Sequence, residues 1–311
     1  MLNSCSKSKI LKIRCPKQES IDSNHRLRSY GTFRRRCDQR LIRRFHCRDC
    51  DCTFSEATLT LEFRQKKRAI NLPLFKQLCS NTSMRRSAVL IGIARKTVDR
   101  RLIYFEKVAI GFQAEMLANL PKVNDVHFDD MESSIHTKLK PVSMPLAVEH
   151  PTRLILAIGV ASMPAKGNIA ELSRRKYGKR LDERPKAWSS VLATVATISR
   201  ADVKITSDQH KRYPFAIKKH LPNAIHRQVP SRKAIIAGQG EVKKGGKDPL
   251  FSLNHTAAMY RANVCRLIRR TWCTSKRQDK LLSHMNIYSM WHNENILAKS
   301  QKRPTQFPLD G

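Results

Sequence analysis

The sequence predicts an α/β protein whose largest part is a mixed sheet flanked by helices, preceded by two small modules. Three observations predict it: cysteines concentrated near the start, two helical segments around a glycine, and apolar strands alternating with helices from residue 121 onward. We therefore expect three folded segments, 1–65, 66–120 and 121–295, and a disordered tail, 296–311. A chain of 311 residues is long enough for two or three domains.

The chain is strongly basic. Lys and Arg number 60 against 25 Asp and Glu, which gives a formal net charge of +35. Such a surface attracts polyanions, so nucleic acid is the expected partner and an anionic membrane surface is the alternative. An apolar content of 41% excludes a disordered polycation. Because no run of about 18 apolar residues occurs, we expect no membrane span.

The cysteines and the first residues bear on the compartment. The nine cysteines are odd in number and lie mostly before residue 80, which does not indicate a disulfide framework. The start, MLNSCSKSKILKIRC, has charge but lacks the apolar stretch of a secretory signal. We therefore expect a reduced, cytoplasmic protein.

Segment 1–65 holds six of the nine cysteines and is predicted to bind zinc. Cys47 and Cys50 form a Cys-x-x-Cys knuckle between two phenylalanines, in FHCRDCDCTF. A tight turn of this kind directs two thiolates at one tetrahedral zinc ion, as in a zinc ribbon. Cys15 is the upstream candidate ligand, although Gln18 stands where its partner cysteine would be expected.

Two residues could complete the zinc ligands, His25 or Cys37. Buried free thiols, or a site that has decayed, are the alternatives to zinc binding. The stretch TFRRRCDQRLIRRF, which lies between Cys15 and the knuckle, is densely basic and would lie along phosphates.

Segment 66–120 contains two predicted helices. Ser83 is a good N-cap for the first, whose apolar face is formed by Ala88, Val89 and Leu90, and Gly92 breaks that run. The second begins near Arg95 and has apolar residues at helical spacing. These are Val98, Leu102 and Phe105.

A helix, a glycine turn and a second helix are the signature of a helix-turn-helix. In that motif the first residues of the second helix contact base edges in the major groove. An ordinary basic helical hairpin is the alternative. The predicted DNA-contacting residues are Arg95, Lys96, Thr97, Arg100 and Arg101.

Segment 121–295 begins with three predicted strands, in DVHFDD, PVSMPLAVEH and TRLILAIGVASM. The helical AWSSVLATVATISR leads to a fourth strand that ends at Asp208, then to a helix, to the short strand AIHRQV and to a long helix that begins near Asn254. Three antiparallel strands followed by alternating helices and strands is the order of an RNase H-like core.

Carboxylates end two of these strands, Asp129 the first and Asp208 the fourth. In an RNase H-like sheet the first and fourth strands are neighbours, so both side chains could hold one cation. Hard oxygen ligands suit Mg²⁺ or Mn²⁺, and such ions serve phosphodiester chemistry. Asp130 and Glu132 are expected to support this site or to be solvated. A solvated turn after an edge strand is the alternative for the segment that contains Asp129, Asp130 and Glu132.

The chain resembles bacterial insertion-sequence transposases of the DDE, RNase H-like superfamily, of the compact type with an N-terminal zinc ribbon and helix-turn-helix. The resemblance covers most of the chain. The motifs that carry it are FHCRDC, SMRRSAVLIGIARKTVDRRL, FDDMES, ITSDQH and NHTAAMYRANVCRLIRRTW.

The resemblance implies a catalytic set of Asp129, Asp208 and a third residue at the start of the last helix. The family usually has Glu there, with Arg seven residues later; here Asn254 takes that place, followed by Arg261, which is expected to contact DNA. Asn keeps an oxygen ligand but removes a negative charge, so a metal is expected to bind more weakly. Glu241, in a Gly- and Lys-rich loop, is the alternative third ligand.

The activity that the resemblance implies is Mg²⁺- or Mn²⁺-dependent cleavage and strand transfer of DNA at the ends of the protein's own element. It also implies double-stranded DNA as partner, a homo-oligomer, and a bacterial cytoplasm with association to the nucleoid. A DNA-binding regulator with an inactive core, and a nuclease that cleaves without joining, are the alternatives.

Two features near the C-terminus complete the predictions. A basic stretch is expected to follow the DNA backbone; it comprises Arg266, Arg269, Arg270, Lys276 and Arg277. Trp272 and Trp291 are expected to pack in the core rather than to stack on bases.

Overall fold

The structure, a computed structural model, describes residues 13–18, 25–230, 246–268 and 273–309, and the backbone alone at 242–243. The chain forms two compact units, Met1–Ala69 and Ile70–Gly311. The boundary lies four residues beyond the predicted end of the cysteine-rich segment. The predicted segments 66–120 and 121–295 share the second unit, apart from the first four residues of the former.

The N-terminal unit is built on an antiparallel sheet in the order β1-β2-β3. Its strands are β1 (Leu27–Arg34), β2 (Leu41–Cys47) and β3 (Thr53–Ser55). The knuckle predicted from the sequence forms the turn between β2 and β3. Its small core contains Cys15, Cys47 and Phe54. A core of this size contributes little stability by itself, so such units commonly depend on a metal or a disulfide.

The C-terminal unit begins with three helices, α1 (Asn71–Leu78), α2 (Met84–Ile91) and α3 (Arg95–Asn119). Ser83 caps α2 by accepting a hydrogen bond from the Arg86 amide, as its residue type predicts. Gly92 ends α2 in the left-handed conformation, at φ 69°, which glycine adopts without steric cost.

The apolar face predicted for α2 is wrong in part. Ala88 is buried, but Val89 and Leu90 are exposed. Consecutive helical residues point about 100° apart, so three in a row cannot share one narrow face. On α3 the prediction is confirmed, since Val98, Leu102 and Phe105 are all buried.

A mixed sheet forms the centre of this unit, in the order β6-β5-β4-β8-β9, with β7 paired to β5. Pairing is antiparallel among β4, β5 and β6 and parallel between β4 and β8 and between β8 and β9. The predicted adjacency of the first and fourth core strands is confirmed. The strands are β4 (Val123–Ser134), β5 (Pro141–Glu149), β6 (Ile155–Ile158), β7 (Ala161–Ser162), β8 (Ser199–Ser207) and β9 (Ile225–Gln228).

Helices cover both faces of this sheet. One face packs on α5 and α6 around Trp188 and Phe128. The other packs on α7 and α8 around Leu146 and Tyr260, in a core to which α1 and α3 also contribute side chains. The helices are α4 (Ala170–Tyr177), α5 (Arg184–Ile198), α6 (Tyr213–His220), α7 (Phe251–Asn263) and α8 (Gln278–Ser300); two-residue strands, β10 (Val242–Lys243) and β11 (Gly246–Lys247), precede α7.

The long helix predicted from Asn254 is shorter than expected. It begins at Phe251 and ends at Asn263, and Val264 is extended. Val264 is fully buried, as is most of the short 3₁₀ turn Cys265–Leu267 that follows. Burial of these apolar side chains in the core draws the chain out of the helix, and helical periodicity alone does not reveal such a break.

The prediction of a disordered tail from residue 296 is wrong over the described residues. Helix α8 continues to Ser300, and Phe307 and Leu309 are buried in the core. Over the same described part of the chain, no helix is both long and apolar enough to cross a membrane.

Candidate functional site

Asp129 and Asp208 meet at the edge where β8 stops. Phe128 pairs with Ser207, the last residue of β8, so the next residue on each strand is one of the two carboxylates. Parallel neighbours lie about 4.8 Å apart, and paired positions share a face. Asp208 follows its strand as predicted. Asp129 does not end its strand, because β4 continues along β5 to Ser134, where Pro141 pairs with it.

Each carboxylate has one oxygen held by neighbouring donors. The Tyr213 hydroxyl and the Asp130 amide donate to Asp129 Oδ1, at 3.1 and 2.7 Å. The His210 amide donates to Asp208 Oδ1 at 3.0 Å. Among the described residues no hydrogen bond uses the Oδ2 atom of either group. These contacts therefore orient both carboxylates and leave the second oxygen of each available to a cation.

The site raises the pKa of Asp129. Burial, followed by the negative charge of Asp208, raises this pKa from 3.8 to about 7, although the Asp130 amide and Tyr213 act in the opposite direction. Two nearby carboxylates each disfavour ionisation of the other. A divalent cation would relieve this repulsion, and carboxylate oxygens are its preferred ligands. The two residues therefore fit an Mg²⁺ or Mn²⁺ ion.

Asp130 points to the opposite face of the sheet. Its two carboxylate oxygens accept from the Trp188 indole N–H on α5, each at 2.9 Å. Burial raises the pKa of Asp130 to about 6. Glu132 is exposed and pairs with Lys166 at 2.6 Å. Neither contact places these carboxylates beside Asp208, in keeping with the supporting or solvated roles expected for them.

Helix α7 packs on the face of β4 that carries Asp129. His127 lies two residues before Asp129, hence on the same face, and its ring stacks on His150 with centroids 4.6 Å apart. Ser252, in the first turn of α7, is hydrogen-bonded to His150 Nδ1 at 2.9 Å. The start of α7, with Asn254, therefore lies over this face.

Asn254 is oriented by a carboxylate that the sequence pattern did not reveal. Its amide nitrogen donates to Asp248 Oδ2 at 2.7 Å, while Asp248 Oδ1 accepts from the Leu250 amide at 3.1 Å. Asp248 is only 8% exposed. With the nitrogen fixed in this way, the carbonyl oxygen of Asn254 is directed away from Asp248. Glu241, the alternative third ligand, lies outside the described residues.

Three functional candidates were missed from the sequence: Asp248, Tyr213 and Trp188. Tyr213 and Trp188 act on carboxylates 84 and 58 residues away along the chain, so local pattern offers little signal for them. Asp248 had a local signal, because it lies three residues before Phe251, the first residue of α7, and Asp in such a place commonly accepts from a backbone amide two residues on.

The predicted zinc ligands come together. Cys15, His25, Cys47 and Cys50 place one ligand atom each within 4.8 Å of one another. A tetrahedral zinc ion with Zn–S bonds of about 2.3 Å separates its sulfur ligands by about 3.8 Å, so this set fits zinc. Of the two candidates for the fourth ligand, His25 lies in the cluster, whereas Cys37 is exposed and lies outside it.

A fourth cysteine borders the cluster. Cys52 Sγ lies 3.4 Å from Cys15 Sγ and 3.2 Å from Cys50 Sγ. The hydrogen bond between Cys50 and Cys52 lowers the pKa of Cys50 to about 7, which favours the thiolate form that binds metal. The sequence indicated Cys52 only by its position two residues after the knuckle.

The predicted DNA-contacting residues of α3 divide into two groups. Arg95, Lys96 and Arg100 are exposed and Thr97 is half-buried, so all four are open to a ligand. Arg101 is buried, at 8% exposure, and its prediction as a surface contact is wrong. It follows Arg100 by about 100° around the helix, which turns it toward the core.

The remaining predicted residues lie farther along the chain. Arg261 lies seven residues after Asn254 on the same side of α7 and is half-buried. Trp291 packs against Phe75 and stacks on Phe307, which confirms its core role. Arg269, Arg270 and Trp272 lie outside the described residues.

The similarity of this chain to the solved structures named below is low. No protein-family model matches the chain, and no curated protein matches it. Among solved structures, a Mos1 strand transfer complex aligns over 75% of this chain and 77% of that chain, at 8% identity and a TM-score of 0.25. A pre-cleavage Mos1 transpososome aligns over 75% and 78%, at 9% identity and a TM-score of 0.21. Scores of this size do not establish a shared fold.

Proposed function

We propose that this protein is a DDE-type transposase, with Asn at the third catalytic position. It binds the ends of its own insertion element and catalyses metal-dependent cleavage and strand transfer of DNA. The observation that carries the proposal is the meeting of Asp129 and Asp208 where β8 ends, in a chain of net charge +35. Carboxylates that can hold cations and a basic surface that attracts a polyanion are the two features that metal-dependent phosphoryl transfer on DNA uses.

In this proposal each residue has a defined task. Asp129 and Asp208 hold Mg²⁺ or Mn²⁺ with their oxygens, and Tyr213 orients Asp129. Asn254 contributes its carbonyl oxygen, because Asp248 accepts from its nitrogen. When bound, such ions activate an attacking water or 3′-hydroxyl and stabilise the leaving oxygen.

The other modules serve DNA binding. Helices α2 and α3 act as a helix-turn-helix, in which Arg95, Lys96 and Arg100 contact the DNA from an exposed helix start. In the N-terminal unit we infer a structural zinc ion held by the four clustered residues. Its ligands are Cys15, His25, Cys47 and Cys50.

The test is a cleavage assay on a labelled duplex that carries the element's end. The unmutated protein should cleave it with Mg²⁺ or Mn²⁺, and Asp129→Asn and Asp208→Asn should each reduce cleavage to background while DNA binding persists. Asp202→Asn is the matched control, because Asp202 is an exposed residue of β8 paired with Arg200. It should cleave normally.

The contradicting result is a lack of cleavage by the unmutated chain with either metal. The chain would then be a DNA-binding protein with an inactive core, a function that Asn254, in place of a carboxylate, favours. Cleavage without joining of the cut end to a second duplex would instead indicate a nuclease.

A further inference from the structure

A strongly basic groove of about 740 Å³ lies in the C-terminal unit, apart from the carboxylate pair. Its lining includes eight cationic side chains and one carboxylate, that of Asp99. One wall is the start of α3, with Arg95 and Arg100. The other is the segment that leads into α8, with Lys276 and Lys280. The groove thus continues from the proposed DNA-reading helix onto a separate element.

Arg266 lines the groove with a positive charge that has no carboxylate partner within ion-pair distance among the described residues. Its guanidinium donates to three neutral acceptors: His284 Nδ1 at 3.2 Å, Ser275 Oγ at 3.0 Å and Met84 Sδ at 2.7 Å. The side chain is half-buried. Removing such a charge from water costs the folded state stability unless a counter-charge compensates. An anion in the groove would provide it.

Two helix starts add to this field. Helix α8 is 23 residues long, and its N-cap, Arg277, makes no side-chain capping bond. In its first turn the Asp279 carboxylate accepts from the Lys280 amide, and the start of the helix carries a partial positive charge that favours phosphate. Helix α2 begins in the same groove, at Ser83 and Met84.

We propose that this groove binds the sugar-phosphate backbone of duplex DNA, beside the segment whose major groove receives the start of α3. The α8 side of the groove is then a phosphate clamp separate from the helix-turn-helix. The inference rests on the proposed function only in taking duplex DNA as the ligand and α3 as its neighbouring contact. It does not require cleavage.

The test measures how the affinity of the full-length protein for duplex DNA depends on salt. The double variant Lys276→Ala with Lys280→Ala removes two charges from the clamp and leaves Arg277, which pairs with Asp279. Removing one cation that neutralises a phosphate should reduce the slope of log K against log salt concentration by about 0.9. We expect a slope shallower by about 1.8, equally on element-end and unrelated duplexes.

The matched control is Lys218→Ala with Lys219→Ala, which removes two exposed charges from α6, outside the groove. It should keep the original slope. If both double variants have the same slope, or if the clamp variant weakens binding of single-stranded RNA alone, the inference is wrong.

Arg266 provides a second test. Arg266→Lys keeps the charge and should keep the slope, whereas Arg266→Gln should reduce it by about 0.9. Equal slopes for both variants, together with equal decreases in Tm, would show a structural role instead.

These outcomes separate the groove from the enzyme. If the salt slope stays unchanged in the clamp variant while the unmutated protein cleaves DNA, only the clamp proposal is contradicted. If the slope becomes shallower in a protein that never cleaves DNA, only the catalytic proposal is contradicted.

Discussion

At the scale of single residues, Asp129 is the most perturbed carboxyl of the candidate site. Burial and the charge of Asp208 raise its pKa to about 7, whereas an unfolded chain releases this proton near the ordinary value of 3.8. The folded state thus binds the proton more tightly than the unfolded state. In metal-free protein, the stability that protonated Asp129 contributes is complete below about pH 4 and is lost as the pH rises to about 7.

This pKa predicts how Asp129→Asn changes stability. In EDTA the variant should melt above the unmutated protein, by a margin that grows from about pH 4 to about pH 7, because Asn never ionises. Each kcal/mol relieved corresponds to about 2–4 °C in Tm. Thermal melts across this pH range provide the measurement.

The control for this melt series should show no trend. A hydrogen bond from Arg200 lowers the pKa of exposed Asp202 below its ordinary value of 3.8, so its contribution to stability changes only below about pH 4, and the margin for Asp202→Asn should stay flat from about pH 4 to about pH 7. A margin for Asp129→Asn that stays flat across the same pH range would contradict the assigned environment.

The third ligand gives a second residue-scale prediction. Asn254→Ala should strongly reduce cleavage, because it removes an oxygen that Asp248 orients, and Glu241→Ala should change it little. Asn254→Glu adds a negative charge and should tighten Mn²⁺ binding, even if it misplaces the ion. Cleavage rates of the two alanine variants and an Mn²⁺ titration of Asn254→Glu measure these effects. The reverse pattern, with Glu241→Ala inactive and Asn254→Ala active, would move the site to the loop carboxylate.

At this scale the sequence was informative where chemistry follows local pattern. Asp129 and Asp208 could be predicted because each follows an alternating apolar run in a chain with few carboxylates. Tyr213 and the buried Arg101 could not, because their roles depend on which neighbours tertiary packing supplies. Periodicity places a residue on a face but does not identify what contacts it.

At the scale of elements, the knuckle turn and the strands around it predict zinc. Freshly reduced protein should contain one zinc ion per chain, and Cys47→Ser should lose it and destabilise the N-terminal unit, because that unit has a small core. Metal analysis and a thermal melt measure both.

Cys37→Ser is the matched control for the zinc site, since Cys37 is exposed and outside the cluster. It should retain the metal. Zinc-free reduced protein, or equal zinc in Cys47→Ser and the control, would show that these residues do not form a zinc site.

The C-terminal tail is an element that composition described poorly. KSQKRPTQFPLDG is polar, yet Phe307 is only 5% exposed and packs between Phe75 and Trp291, with ring centroids 4.9 and 5.0 Å away. Phe307→Ala should therefore cost about 3–5 kcal/mol of unfolding free energy. Phe215→Ala, at an 80% exposed phenylalanine of α6, should change it little. Denaturant unfolding that gave equal decreases would show that the tail does not pack as described.

On the scale of the whole molecule, sequence predicted the order of the core elements and the pairing of the first and fourth core strands. The order follows from periodicity, and the pairing follows from the RNase H-like arrangement that this order indicates. It did not predict that α1–α3 share one compact unit with the sheet, or that α7 stops at Asn263. Both depend on side chains of α8 and of the 3₁₀ turn, which contact residues far away in the chain.

The net charge of the molecule and the carboxylate pair together support the central claim, which is that Asp129 and Asp208 bind one divalent cation in a DNA-binding protein. Titration of the full-length chain with Mn²⁺, followed by electron paramagnetic resonance, tests it directly without DNA or turnover. We predict that Asp129→Asn and Asp208→Asn each weaken Mn²⁺ binding at about pH 8, above the raised pKa of Asp129, and that Asp202→Asn binds as the unmutated protein does. Mn²⁺ binding that is equally tight in all four proteins would contradict the claim.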